Sequence, residues 1–163
     1  RMKIWIEDSE KHGRKTGVMD DAMFDLAQRL YESYASYFDS VKPVTYYGDM
    51  CSKNVMIHNG AFIGLVDLDG LTQGDFLEPI GRIKLSWYGT RHGKIYSDSV
   101  MDELELTNEQ RNIVTVYSLL NAIAWACENG IKFNENTTGV VDKEKEARDK
   151  KRIQMLASEL GLR

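Results

Sequence analysis

Long apolar runs are missing from this 163-residue sequence. A transmembrane helix needs about 20 predominantly apolar residues in succession, and no stretch of even about 18 occurs. The opening residues, RMKIWIEDSEKHG, also lack the apolar stretch of a secretory signal peptide. We therefore expect no association with a membrane and a cytoplasmic location.

Cysteine is scarce as well. The chain has only Cys51 and Cys127, which are far apart and belong to no C-x-x-C pair and no neighbouring histidine pattern. A disulfide framework or a structural zinc site requires more cysteines at closer spacing. We expect both residues to be reduced thiols.

An excess of basic residues is the third absence. The chain has 21 Lys and Arg against 25 Asp and Glu, which gives a formal net charge of -4. Proteins that bind nucleic acid usually have a basic face, so we expect no nucleic-acid partner. The mild acidity suits a neutral or cationic small partner, although many cytosolic proteins share it.

The apolar content that is present, 42% of residues, is enough for an ordinary core in a single domain. Residues 1–19 are polar and interrupted by Gly13 and Gly17, which predicts a short strand or extended entry followed by a loop. Beyond them, apolar residues recur every three or four positions. This spacing predicts an amphipathic helix capped by Asp20 or Asp21.

Short strands are predicted next. The stretch 44–47 is β-prone, and two further stretches, 54–58 and 61–67, flank Asn59 and Gly60. An Asn-Gly pair between two such stretches is the strongest short-range signal for a β-hairpin. We therefore expect one hairpin, preceded by a short strand and a polar loop.

The remainder of the chain is predicted to be helical. Asp75 can cap a helix that runs to about residue 88, and a looser helix is expected over 97–104. Thr107 and Gln110 have capping-box spacing before a long apolar helix with a natural stop at Gly130. A last helix is expected from Asp142 to about Leu160. The fold class predicted by these patterns is α+β and mainly helical.

Residues with polar, oxygen-bearing side chains lie at the two outer ends of the predicted hairpin. Asp49 and Asn54 precede its first strand, and Asp67 ends its second strand. Because a hairpin returns its outer ends to the same place, we expect Asn54 to lie beside Asp67. Such a cluster, without His or Cys, suits Mg²⁺. A remaining carboxylate, Asp49, could orient or deprotonate an attacking hydroxyl.

The order of these residues resembles that of the catalytic loop and metal-binding Asp in protein-kinase-like folds. The wider string is closer to the aminoglycoside phosphotransferase family of small-molecule kinases. It consists of Gly-Asp at 48–49, Asn-Val at 54–55, Gly-Leu-Val-Asp at 64–67 and Gly-Asp at 74–75. The resemblance implies a protein-kinase-like C-terminal lobe, with a catalytic loop and a small hairpin packed on helices.

The resemblance also implies roles for individual residues. Asp49 would be the catalytic base, and Asn54 and Asp67 would bind Mg²⁺ and, through it, the nucleotide. Asp69 would support a second metal or act as a hydrogen-bond acceptor behind the ligands, and Asp75 would hold the loop and cap the next helix. The implied reaction moves the γ-phosphate of ATP or GTP to a hydroxyl of a small molecule. Aminoglycosides and other hydroxylated, in part cationic, compounds are candidate acceptors.

Two features depart from the family pattern. Tyr47 stands where the family usually has His, and Cys51-Ser52-Lys53 replaces a loop that commonly contains His-Pro-Gly. These departures favour an alternative hypothesis, a catalytically silent kinase-like module that binds a small molecule. A purely structural helical protein is a third hypothesis, but it leaves the Asp-rich hairpin unexplained.

A nucleotide-binding N-terminal lobe is not recognisable in the sequence. Fewer than fifty residues precede Asp49, and no G-x-G-x-x-G or G-x-x-x-x-G-K-[ST] motif occurs. We therefore expect residues 1–163 to be a single C-terminal lobe from a longer kinase. Its N-terminal lobe would be the missing partner, and the fragment would have little activity alone.

Overall fold

The computed structural model describes residues 2–49, 52–132 and 138–162. These residues form a mainly helical α+β structure, which confirms the predicted class. The predicted state of Cys51 lies outside the described residues, whereas Cys127 is a buried free thiol. The elements in chain order are α1 (Met2–Thr16), α2 (Asp21–Ser33), α3 (Ala35–Ser40), β1 (Val44–Tyr47), β2 (Val55–His58), β3 (Ala61–Leu65), β4 (Leu71–Gly74), α4 (Leu77–Ser86), α5 (Arg91–Glu103), α6 (Asn108–Cys127) and α7 (Lys143–Glu159).

The chain divides into two compact units. The helical unit consists of Arg1–Ser40 and Thr115–Arg163, and the β-containing unit is Val41–Val114. All four described strands belong to the β-containing unit, as do the candidate site residues Asp49, Asn54, Asp67, Asp69 and Asp75.

Helix α1 corrects the expectation of an extended segment over residues 1–19. The segment is helical from Met2 to Thr16, and it ends beside Gly17, whose φ of 68° is typical of a helix end. Gly13 is not a break, because it lies inside the helix and packs tightly against Phe24 and Cys127. Ion pairs four residues apart, such as Glu10 with Arg14, support the helix along its exposed side.

Two other helices of the helical unit, α2 and α7, begin at a capping aspartate. The cap at Asp20 was predicted, whereas Asp142 was predicted only as the start of the last helix. Asp20 accepts a hydrogen bond from the backbone N–H of Met23, and Asp142 accepts one from that of Lys145. Each carboxylate satisfies an N–H group that the first helical turn leaves unpaired. A break at Tyr34 divides the single helix predicted after Asp20 into α2 and α3.

The capping box before α6 is present as predicted. The N–H of Thr107 donates to Gln110 Oε1 at 2.9 Å, and the N–H of Gln110 donates to Thr107 Oγ1 at 3.2 Å. Helix α5 is longer than expected, because Thr90 caps it through the N–H of Gly93. It therefore begins at Arg91 rather than near Ser97.

Two antiparallel pairs form the β structure. Strands β2 and β3 make the predicted hairpin, and both turn residues have positive φ, 51° for Asn59 and 77° for Gly60. The expectation that Asp67 ends the second strand was wrong, because β3 ends at Leu65 and the left-handed backbone of Asp67 cannot continue it. Strand β1 pairs with β4, which the sequence analysis did not predict as a strand. The register places Tyr47 opposite Leu71, so the residues that follow β1 lie near those that precede β4.

None of the helices in the described part of the chain has both the length and the apolar character that crossing a bilayer requires.

Candidate functional site

The side chains of Asp49 and Asn54 form a hydrogen-bonded pair. Asn54 Nδ2 donates to Asp49 Oδ2 at 2.8 Å and to the Asp49 carbonyl oxygen at 3.1 Å. A 3₁₀ turn over Ser52–Asn54 ends at the asparagine, which is only 3% exposed. Both bonds use the amide nitrogen, so neither occupies the amide oxygen Oδ1, which is the atom that could bind a metal.

The hairpin joins Asn54 to the loop that carries Asp67. Val55 pairs with Leu65, and the N–H of Val66 donates to the Asn54 carbonyl at 3.0 Å. Asn54 is therefore bonded to Val66, the residue directly before Asp67. This pairing depends on a register shift between Met56 and Ile57, which the hairpin pattern did not predict.

Asp67 has an unusual backbone conformation. Its φ of 61° and ψ of 57° lie in the left-handed region, which is uncommon for residues other than glycine, although Asp adopts it more readily than most. Such a conformation persists only where neighbouring contacts hold it. The side chain of Asp67 is exposed and does not cap the 3₁₀ turn Leu68–Gly70 that follows.

Those contacts come from the end of β1. Tyr47 Oη donates to the carbonyl oxygens of Val66, at 3.0 Å, and of Asp67, at 3.2 Å. One residue further, the N–H of Gly48 donates to the Gly70 carbonyl at 2.8 Å. The loop 66–70 is thus tied at both ends to residues 47 and 48.

Gly70 allows this close approach. A Cβ atom at this position would lie 3.0 Å from Tyr47 Cε2 and 3.1 Å from Asp49 Cβ. Both distances are shorter than ordinary carbon–carbon contacts. The absence of a side chain at Gly70 therefore lets Tyr47 and Asp49 pack against the loop that carries Asp67.

Asp75 lies at the junction between β4 and α4. Its Oδ1 accepts from the N–H of Leu77 at 3.0 Å, and its carbonyl accepts from the N–H of Glu78 at 3.1 Å. Asp75 is 8% exposed and lies two residues before α4, whose N-cap position is Phe76. Tyr46 Oη donates to Glu78 Oε2 at 3.1 Å, which ties the same helix to β1.

A metal could be held only in part by this arrangement. Within residues 2–49, 52–132 and 138–162, no three His, Cys, Asp or Glu side chains lie together as a ready metal site. The available donors are the Asn54 amide oxygen and the exposed carboxylates of Asp67 and Asp69. These are hard oxygen ligands, and Mg²⁺ is commonly bound by one or two carboxylates with substrate phosphates and water. The donor chemistry fits Mg²⁺ shared with a phosphorylated ligand.

The sequence does not reveal the contacts that two residues of the site make. Tyr47 was noted only as a departure from a family pattern, and Gly70 was not singled out. Their partners lie about twenty positions along the chain, so no local pattern reveals the contacts. A glycine directly after Asp67-Leu68-Asp69 was the one available signal of a tight approach.

The site thus consists of the hydrogen-bonded side chains of Asp49 and Asn54 and of the exposed Asp67, whose neighbour Val66 is bonded to the Asn54 backbone. No protein-family model matches the chain, and no curated protein matches its sequence. The chemistry of the site therefore has to be inferred from its own residues.

Proposed function

We propose that this protein is a Mg²⁺-dependent phosphotransferase, with a kinase-like C-terminal lobe. It would move the γ-phosphate of ATP or GTP to a hydroxyl group of a small molecule. The observation that carries the proposal is the Asp49–Asn54 hydrogen bond at 2.8 Å beside the loop of Asp67. The pair supplies an acid-base group and a metal ligand within one short loop.

Asp49 is proposed as the base. Its carboxylate is half-buried, and Asn54 holds Oδ2 in one direction, which limits the rotation of the group. An oriented carboxylate can accept a hydrogen bond from an acceptor hydroxyl and take its proton as the phosphoryl group transfers. The acceptor hydroxyl would therefore bind within hydrogen-bond reach of Asp49.

Asn54 and Asp67 are proposed as the magnesium ligands, with Asp69 beside them. When bound, Mg²⁺ supplies charge neutralisation for the phosphates. The amide oxygen of Asn54 and the carboxylate of Asp67 would hold the ion, and the hairpin keeps their backbones adjacent. Asp75 would support the site indirectly, because its carboxylate accepts a hydrogen bond from Leu77, the first residue of the helix that follows β4.

Catalysis of this kind rests on positioning and on charge, without a covalent enzyme intermediate. The nucleotide would also need a β-rich lobe with a phosphate-binding lysine, which we propose as part of the same protein. The acceptor would be a small hydroxylated molecule, and the net charge of -4 favours a neutral or cationic one.

The proposal is tested by nucleotide consumption. The protein encoded by the complete reading frame is incubated with ATP or GTP, Mg²⁺ and a panel of aminoglycosides, amino-alcohols and sugars. Asp49→Ala should abolish acceptor-dependent consumption, a loss of at least about 100-fold, because general base catalysis contributes about 10²–10⁴-fold. Asp39→Ala removes an exposed carboxylate at the end of α3 and serves as the matched control.

Acceptor-dependent consumption that Asp49→Ala removes and Asp39→Ala retains would support the phosphotransferase and identify its acceptor class. Normal turnover by Asp49→Ala would contradict the role of this residue. Binding of a panel compound without any consumption would instead favour the catalytically silent module.

A further inference from the structure

We infer that Tyr47 is a positioning residue for the metal ligand Asp67. This inference rests on the proposed function, because it concerns the Mg²⁺ site of that function. Tyr47 would not touch the ion. It would act through the backbone, by holding Asp67 in the conformation from which its carboxylate serves as a ligand.

The hydrogen bonds of the phenol carry the inference. One hydroxyl reaches two successive carbonyl oxygens, at 3.0 Å on Val66 and 3.2 Å on Asp67. Two carbonyls at neighbouring residues approach the same donor only when the backbone between them is sharply turned. The left-handed φ and ψ of Asp67 provide that turn.

The surroundings of the phenol leave little freedom for the loop. The N–H of Gly48 holds the Gly70 carbonyl at 2.8 Å, and the Tyr47 ring packs where Gly70 has no side chain. On the other side of Asp67, the N–H of Val66 is bound to the Asn54 carbonyl. The hydroxyl of Tyr47 therefore supports the loop at Asp67, which is the residue of loop 66–70 with a left-handed backbone.

Strand β1 offers a matched control for this role. Tyr46 and Tyr47 are adjacent tyrosines, and each uses its hydroxyl in a hydrogen bond. Tyr46 donates to the side chain of Glu78, whereas Tyr47 donates to the backbone at Asp67. Replacing each tyrosine by Phe removes one hydroxyl from the same strand, but only Tyr47→Phe releases the loop.

The experiment compares the unsubstituted chain, Tyr47→Phe and Tyr46→Phe by two-dimensional NMR. Mg²⁺ alone is titrated, and Mn²⁺ is then used as a paramagnetic probe of the amides of residues 54 and 66–70. We expect the metal-free Tyr47→Phe spectrum to show shifts in residues 66–70. Its Mg²⁺ dissociation constant should rise about three- to tenfold, the equivalent of one lost hydrogen bond, with Tyr46→Phe within about twofold of the unsubstituted chain.

The outcomes separate the inference from the proposed function. Equal dissociation constants for Tyr47→Phe and Tyr46→Phe would overturn the inference and leave the function standing. Weaker binding by Tyr47→Phe with unshifted metal-free amides at 66–70 would also overturn it, since the tyrosine would then act on the ion directly. No response of the unsubstituted chain to either metal, alone or with ATP present, would overturn the proposed metal site itself, and the inference with it.

A second variant covers the case in which Tyr47→Phe does not fold. Gly70→Ala keeps the phenol but adds a Cβ 3.0 Å from the Tyr47 ring, which should push the loop away from it. We expect this variant to weaken Mg²⁺ binding as well. Unchanged binding by Gly70→Ala, with a displaced loop, would contradict the positioning role.

Discussion

Asn54 holds Asp49, five residues before it, by two hydrogen bonds from a single amide nitrogen, one to the carboxylate and one to the carbonyl oxygen. The asparagine is almost fully buried, so this nitrogen cannot exchange its partners for water without a rearrangement of the loop. The catalytic loop proposed above depends on this contact for its shape.

Asn54→Asp should therefore destabilise the β-containing unit. The substitution removes both donors and places a second carboxylate against Asp49, and a buried acceptor without its donor costs about 1–3 kcal/mol. Urea unfolding measures the loss in the free energy of unfolding. Asn59→Asp is the matched control, because Asp-Gly also suits the hairpin turn, and it should change stability little. Equal stability of the two variants would contradict the structural role of Asn54.

Gly13→Ala should destabilise the helical unit, although alanine is the better helix former by about 0.5–1 kcal/mol. The new Cβ would lie 2.7 Å from Cys127 Sγ and 2.9 Å from Phe24 Cζ. Overpacking of this kind costs about 1–3 kcal/mol, measurable by thermal unfolding.

The rescue of Gly13→Ala tests the stated cause. Removing the sulfur with Cys127→Ala should recover part of the loss, so the double variant should be more stable than the sum of the two single changes predicts. Strict additivity would show that the sulfur contact is not the source of the strain.

Cys127 should be unreactive in the folded protein. Burial raises the pKa of its thiol to about 12, so almost no thiolate exists at pH 8. In a Cys51→Ser background, alkylation by iodoacetamide should be slow without denaturant and fast in urea. Equal rates in the two conditions would contradict the buried position.

Because of the same thiol, the free energy of unfolding should depend on pH in the alkaline range. Its folded pKa is raised above the unfolded value of about 8.5, so the stabilisation is complete below about pH 8.5 and is lost as pH rises toward 12. The difference in free energy of unfolding between the Cys51→Ser protein and its Cys127→Ala derivative should shrink over this range. A constant difference would contradict the raised pKa.

Asp142 should stabilise α7 most strongly when ionised. The backbone N–H of Lys145 lowers the pKa of this carboxyl. The stabilisation is therefore present above the unfolded pKa of about 3.9 and is lost as pH falls through the folded value. Asp142→Asn keeps a capping oxygen without the charge, so its melting temperature should fall less between pH 7 and pH 3. An identical fall in both proteins would exclude the carboxylate as a source of acid sensitivity.

Local patterns predicted the parts of the fold that depend on residues close in sequence. The cap at Asp20, the start of the last helix at Asp142, the capping box of Thr107 and the Asn59-Gly60 turn all appear where expected. Each relies on an interaction spanning at most four residues, so its residues and its geometry can be seen in one short stretch. The Asn59-Gly60 turn also brings Asn54 close to the Asp67 loop, but the turn alone would pair Asn54 with Leu65. A register shift between Met56 and Ile57, which the sequence did not predict, moves Asn54 opposite Val66.

The expectation for residues 1–19 failed for the opposite reason. Glycine in a polar segment normally indicates a break, but Gly13 is needed for contact with Phe24 and Cys127, and the latter lies more than a hundred positions away. The pairing of β1 with β4, the two carbonyl contacts of Tyr47 and the fit of Gly70 are likewise contacts between distant segments. The sequence by itself determined where most elements begin and end, because caps and turns are local. Only the tertiary structure decided which glycines are spacers and which tyrosine supports Asp67, because those roles depend on side chains that packing alone brings together.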